Sequence, residues 1–292
     1  MCSVSVAETG IIFSCAGERL LGVLCAPDGS AETGVLVIVG GPQYRAGAHR
    51  QFLLLARGLA AAGHAVFRFD CRGMGDSTGE ARNFEAIGDD IAAAIGAFQA
   101  ARPDVGKIVL WGLCDGASAA LLYWHARRDE RISGMCLLNP WVRSEASLAR
   151  TQVKHYYGQR LLQREFWLKL FRGEVRIFAS IGGLLHKLRL SAGAGKINRE
   201  LLSFQTRMAR ALRAFPGKAT LVLSGRDYTA KEFLEYTRAD PEWAAALGNS
   251  NVRQHEIPDA DHTFSTKQWR GEVEQATLNL VRELSERACH VS

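Results

Sequence analysis

Five consecutive residues, Gly112-Leu113-Cys114-Asp115-Gly116, carry the strongest chemical signal in the chain. Cysteine attacks as its thiolate. A small residue on either side suits a turn so sharp that strand and helix leave no room for a Cβ. The run lies where an apolar stretch, 107–113, meets a helical stretch, 115–127. Such a turn strains its central residue and lifts that side chain above the sheet. The helix N-terminus behind it favours negative charge on the sulfur and on a nearby oxyanion. A glycine pair flanking a buried cysteine is the plain alternative, and the strand-before, helix-after context favours the nucleophile. The matching chemistry is attack on a carbonyl carbon.

A thiol near neutral pH is only partly ionised, so a neighbouring imidazole is expected to take its proton. Among eight histidines, His262 has the best setting. It follows an apolar-ended strand, 252–257, within Pro258-Asp-Ala-Asp-His262-Thr-Phe264, just ahead of the last helix. His64 opens a strand, His125, His155 and His186 fall on helical stretches, and His49, His255 and His290 have no comparable setting. A carboxylate must accept the other imidazole N–H, fixing the tautomer and stabilising the cation. Asp227 is expected to do so, since it follows an apolar strand and Gly225-Arg226. Asp259 and Asp261 adjoin His262 along one loop, a poor geometry for that bond, and are expected to shape the turn.

Two backbone N–H groups must also face the developing oxyanion. One is expected from Asp115, the residue after the nucleophile. The other is expected from Gly40-Gly41-Pro42-Gln43-Tyr44; proline has no N–H, so Gly41 or Gln43 must donate.

The elements that would position these groups alternate along the chain. Segments 11–14 and 19–26 read as a leading hairpin. The continuous apolar run 35–39 reads as a strand covered on both faces, 107–113 as another buried strand, and 65–70, 132–138, 219–224 and 252–257 as further strands. Helical spacing fills 50–62, 84–100, 115–127, 231–247 and 266–287. Strand and helix in alternation predict a doubly wound, mostly parallel sheet with helices on both faces. Residues 1–140 and 217–292 then form one core, and 141–216 a helical insertion. That insertion holds 15 Lys and Arg against four Glu, a net +11 that leaves −5 for the remainder of a chain of net +6. In 164–172 apolar and basic residues interleave as on an amphipathic helix.

These residues resemble the α/β-hydrolase superfamily, in its branch with a helical cap inserted late in the sheet, over nearly the whole chain. Asp70-Cys-Arg-Gly-Met-Gly-Asp-Ser77 is similar to that branch's D-x-R-G-x-G-x-S segment. Ser224-Gly-Arg-Asp227 and Asp261-His-Thr-Phe264 fall where its acid and histidine motifs fall. More narrowly, Gly40-Gly-Pro-Gln-Tyr-Arg45 and the cysteine-centred elbow resemble the exosortase A system-associated hydrolase type 1 group, bacterial proteins encoded with exopolysaccharide production and protein-sorting machinery. The resemblance implies a hydrolase of a carboxylic ester or thioester, with Cys114 replacing the serine found in most of the superfamily. A thioester intermediate could pass its acyl group to water or to another acceptor, so an acyltransferase acting on a lipid-linked or glycan acceptor stays open. A binding protein that retains the fold without catalysis also stays open.

No metal or organic cofactor is implied. The seven cysteines lack C-x-x-C spacing and read as reduced thiols, the N-terminus does not read as a secretory signal, and no apolar run reaches bilayer length, so a cytoplasmic setting is expected. The insertion is expected to cap Cys114. Its charge suits peripheral contact with an anionic membrane surface, an ordinary solvated basic face being the alternative. Nucleic-acid binding has no motif behind it beyond charge.

Overall fold

The computed structural model describes residues 5–41, 43–143 and 202–286. Eight strands form one sheet: β1 (Val6–Cys15), β2 (Glu18–Pro27), β3 (Thr33–Ile38), β4 (Val66–Phe69), β5 (Lys107–Leu113), β6 (Ile132–Leu138), β7 (Lys218–Ser224) and β8 (Val252–Ile257). Their order is β1-β2-β4-β3-β5-β6-β7-β8, antiparallel from β1 to β4 and parallel beyond. The seven α-helices described are α1 (Gln51–Ala61), α2 (Gly88–Ala101), α3 (Asp115–Arg127), α4 (Phe204–Ala214), α5 (Tyr228–Ala239), α6 (Pro241–Leu247) and α7 (Lys267–Glu286).

Period-2 alternation along the central strands splits the core into two layers. Leu36, Ile38, Ile108 and Leu110 join the layer packed by α2 and α3, which holds Ile91, Phe98 and Leu121. Val35, Val37, Val109 and Trp111 join the opposite layer, filled by Phe52 and Leu59 of α1 and Val281 and Leu284 of α7. Both faces of these strands are covered, so they read as unbroken apolar runs. Trp111 makes an edge contact with Phe52 at 5.5 Å and donates its indole N–H to Thr277 Oγ1 at 3.2 Å. Each such fully buried large side chain stabilises by about 1.5–3 kcal/mol.

Three expectations change. The helix anticipated at 231–247 is two, because Pro241 cannot continue α5; Asp240 caps α6, accepting from the Glu242 N–H at 2.9 Å. The helix anticipated from 84 begins at Gly88, after a short 3-10 turn, Phe84–Ala86. Residues 204–214, placed with the insertion for their basic charge, form α4, which packs on α3 and α6 and buries Met208, Ala209, Ala211 and Leu212. By contact density the chain divides into Met1–Val142 with Phe204–Ser292, and Arg143–Ser203. Residues 144–201 of the expected cap lie outside the described residues. Among the described residues no helix is long and apolar enough to cross a membrane.

Candidate active site

Cys114 sits between β5 and α3 with φ 60° and ψ −123°, a conformation rarely adopted by a residue bearing a Cβ. Close packing holds it there. A Cβ on Gly112 would lie 2.4 Å from the Gly116 carbonyl carbon, and one on Gly116 would lie 2.5 Å from the Ile38 oxygen. A Cβ on Gly40 would lie 2.4 Å from the Gly116 nitrogen. Three glycines thus let the end of β3, the elbow and the start of α3 touch backbone to backbone. The Cys114 N–H is anchored on the Leu138 carbonyl at 2.8 Å, next to β6.

His262 arrives on the loop after β8. Its Nδ1 lies 2.8 Å from Asp227 Oδ2, and the carboxylate, at the N-terminus of α5, also accepts the Ala230 N–H at 3.0 Å. The imidazole pKa is pushed up to about 10, first by the hydrogen bond to Asp227, then by one to Cys114. Burial alone would raise the Asp227 carboxyl, but the hydrogen bond and charge of His262 outweigh it and leave the value lowered. The structure therefore brings Cys114, His262 and Asp227 together along the ends of β5, β7 and β8. Asp259 and Asp261 face elsewhere. Asp259 pairs with Arg226 at 2.6 Å, and Asp261 Oδ1 accepts the Thr263 and Ser265 N–H groups at 3.0 and 3.1 Å.

Of the five described cysteines, only Cys114 is partly exposed. Burial pushes the thiols of Cys25 and Cys136 up to about 11 and about 12, and raises Cys15 and Cys71 as well. These four belong to the core. Among the described residues no cluster of three or more His, Cys, Asp or Glu is arranged to hold a metal ion.

The expected oxyanion donors line one cleft with Cys114 and His262: Gly41, Gln43 and Asp115 all border it. The Gly41 N–H is engaged there, donating to Asp115 Oδ2 at 2.8 Å. The Gln43 side chain turns back along its own loop, where Oε1 accepts the Ala48 N–H at 3.3 Å. That loop is held from below by Asp70, fully buried, which accepts the Arg45 N–H at 2.7 Å and pairs with the Arg45 guanidinium. Asp70 also accepts the Asp76 N–H at 3.1 Å, and its carbonyl takes the Ser77 hydroxyl at 2.7 Å. The 70–77 segment thus works as a brace under the oxyanion loop. Its glycines fit that role: Gly75 has φ 54°, and a Cβ there would lie 2.3 Å from Asp70 Oδ2.

Two residues were missed from sequence. Asn139, buried with φ 43°, accepts the Ser224 N–H at 2.9 Å and donates to Ser224 Oγ at 2.7 Å and to the His262 carbonyl at 3.2 Å. It ties the ends of β6 and β7 to the histidine loop. The Leu138-Asn139-Pro140 run at a strand end is its only signal. The second is the Asp115 side chain, whose place against Gly41 nothing local foretold.

The α/β-hydrolase family profile matches residues 35–276. No curated protein sequence matches the chain. Solved structures similar to it include the esterase Pf2001 of Pyrococcus furiosus, with 15% identity over 94% of each chain and a TM-score of 0.60. A dienelactone hydrolase from Anabaena variabilis is 15% identical over 95% of this chain and 98% of its own, at a TM-score of 0.61. Est1E from Butyrivibrio proteoclasticus, solved with ferulic acid bound, is 14% identical over 93% and 99%, at 0.60. At such identities the likeness shows the fold, while the profile covers most of the chain. The chain therefore belongs to the α/β-hydrolase family.

Proposed function

We propose that this chain hydrolyses a carboxylic ester or thioester with Cys114 as nucleophile, His262 as general base and Asp227 as its orienting acid. One observation carries the reading: a single imidazole, hydrogen-bonded at Nδ1 to Asp227 at 2.8 Å, lines one cleft with the sulfur of a strained elbow cysteine. His262 takes the thiol proton, and the sulfur attacks the substrate carbonyl, whose π electrons move to oxygen. The oxyanion is met by the Asp115 N–H and by that of Gly41 or Gln43. Collapse of the adduct expels the leaving oxygen or sulfur, which takes the proton from His262. Water then gives a proton to His262 and attacks the thioester; the C–S bond breaks and the thiol is restored.

The substrate is placed among acylated intermediates of exopolysaccharide assembly. This setting is supported by the likeness of residues 40–45 and of the cysteine elbow to the exosortase-associated group. The net +11 charge of 141–216 suits a lipid-linked or anionic partner and peripheral contact with an anionic membrane face. A panel of short-chain esters, thioesters and lactones, assayed with the wild type and with Cys114→Ala, tests the reading. Turnover lost in the variant is expected; turnover retained there overturns it.

A further inference from the structure

The residue after the nucleophile is asked for its backbone N–H, yet here it also brings a carboxylate. Asp115 begins α3, where a negative charge suits the helix dipole, and that role alone would leave its side chain in solvent. Instead it folds back across the cleft. Oδ2 takes the Gly41 N–H at 2.8 Å, and Oδ1 is buried without a hydrogen-bond partner. The fit on the other side is close: a Cβ on Gly40 would stand 2.0 Å from Oδ1. A buried carboxylate oxygen left unpaired costs free energy, so this pose is held by what surrounds it and is poised for exchange. The amides of Gly116 and of Asp115 itself act on it as nearby dipoles, and with Gly41 they only partly offset the burial that raises its pKa. Gly40, Gly41, Gln43 and Asp115 border the space beside Cys114 and a larger adjoining cleft walled by Met74 and Phe84, so the carboxylate has room to turn into.

We propose that the Asp115 carboxylate is a displaceable latch on the oxyanion site: it holds the Gly41 N–H in the resting enzyme, and a substrate carbonyl reaches that donor only when the latch turns aside. The inference rests on Cys114 being the nucleophile. It makes position 115 a specificity-determining residue, because substrates able to draw the carboxylate away, through a hydroxyl or a cation near the scissile carbonyl, open the site more readily than simple acyl groups do.

Two thiol reagents separate the latch from the nucleophile. Iodoacetamide alkylates sulfur without forming an oxyanion, whereas 4-nitrophenyl acetate acylates it through one. Both rates at Cys114 are read by peptide mass mapping of the full chain in the wild type, Asp115→Ala and Asp115→Asn. Losing a charge-assisted hydrogen bond that competes with substrate is expected to raise the acylation-to-alkylation ratio about tenfold or more in Asp115→Ala. Asp115→Asn keeps the volume but loses the charge, and gives a smaller rise; it also serves if the alanine variant fails to fold. A merely structural role for Asp115 lowers stability and leaves the ratio alone. Selective alkylation with an unchanged or lower ratio in both variants overturns the latch and spares the nucleophile. Wild-type protein in which iodoacetamide does not single out Cys114 removes the nucleophile, and the latch with it.

Discussion

Asn139→Ala removes a polar knot that no neighbouring group can replace. Its Oδ1 takes the Ser224 N–H at 2.9 Å, and its Nδ2 serves Ser224 Oγ at 2.7 Å and the His262 carbonyl at 3.2 Å, all with the side chain fully buried. Leaving the Ser224 N–H buried and unpaired costs about 1–3 kcal/mol, and the two lost donations add about 0.5–1.5 kcal/mol each. Alanine at φ 43° adds about 1–2 kcal/mol, since the left-handed region is one that asparagine tolerates and alanine resists. A total destabilisation of about 3–5 kcal/mol follows, discounted for local relaxation, or a drop of about 1 M or more in the urea midpoint. Asn139→Gly loses the same hydrogen bonds but accepts the backbone, and recovers about 1 kcal/mol. Urea unfolding followed by tryptophan fluorescence reads all three proteins, and ester turnover at low urea reads the histidine loop. A midpoint for Asn139→Ala within about 0.3 M of the wild type, or equal losses in the alanine and glycine variants, would refute the reasoning.

Other outcomes follow from the same geometry. Asp227→Asn leaves His262 without its charged partner and should lower kcat/KM by about 10²–10⁴-fold, measured on the best ester of the panel. The His262 pKa, raised from 6.5 to about 10, stabilises the fold in full below about 6.5. That contribution is lost as pH rises through about 10, so the wild-type urea midpoint should fall across this window more than that of Asp227→Asn. Gly116→Ala would force a Cβ to within 2.5 Å of the Ile38 carbonyl oxygen, a backbone atom of β3. Calorimetry should show a loss of about 1–3 kcal/mol or more for that variant. Brief iodoacetamide treatment of the native protein should label Cys114 and spare Cys25 and Cys136, whose thiols burial holds up at about 11 and about 12. Equal labelling, read by mass mapping, would contradict the placement of those two in the core.

Much of the architecture was legible because its signals are local. Runs such as 35–39 and 108–113 are free of polar side chains, as strands covered on both faces must be, and Gly112 and Gly116 flank Cys114 at the spacing a backbone-tight elbow requires. The Asp227–His262 pairing was legible too, since each follows a strand end in the chain order that the alternation sets. The break at Asp240-Pro241 carries its own signal, a cap and a proline, set within a helical periodicity that runs on through 231–247. Residues 204–214 carry a basic charge that matches the insertion, whereas packing decides: α4 lies on α3, about eighty residues earlier, and on α6. Asn139 and the Asp115 carboxylate escaped notice because their partners lie 85, 123 and 74 positions away, and nothing in their own neighbourhood distinguishes a tethered amide or acid from a solvated one.

The most direct measurement is the mass of the peptide carrying residue 114, taken from enzyme acid-quenched during turnover of its best ester. A covalent acyl group on Cys114, formed and cleared at the turnover rate and absent from His262→Ala, is predicted. Steady turnover with that sulfur never acylated, or with the adduct on another residue, would contradict nucleophilic attack by Cys114.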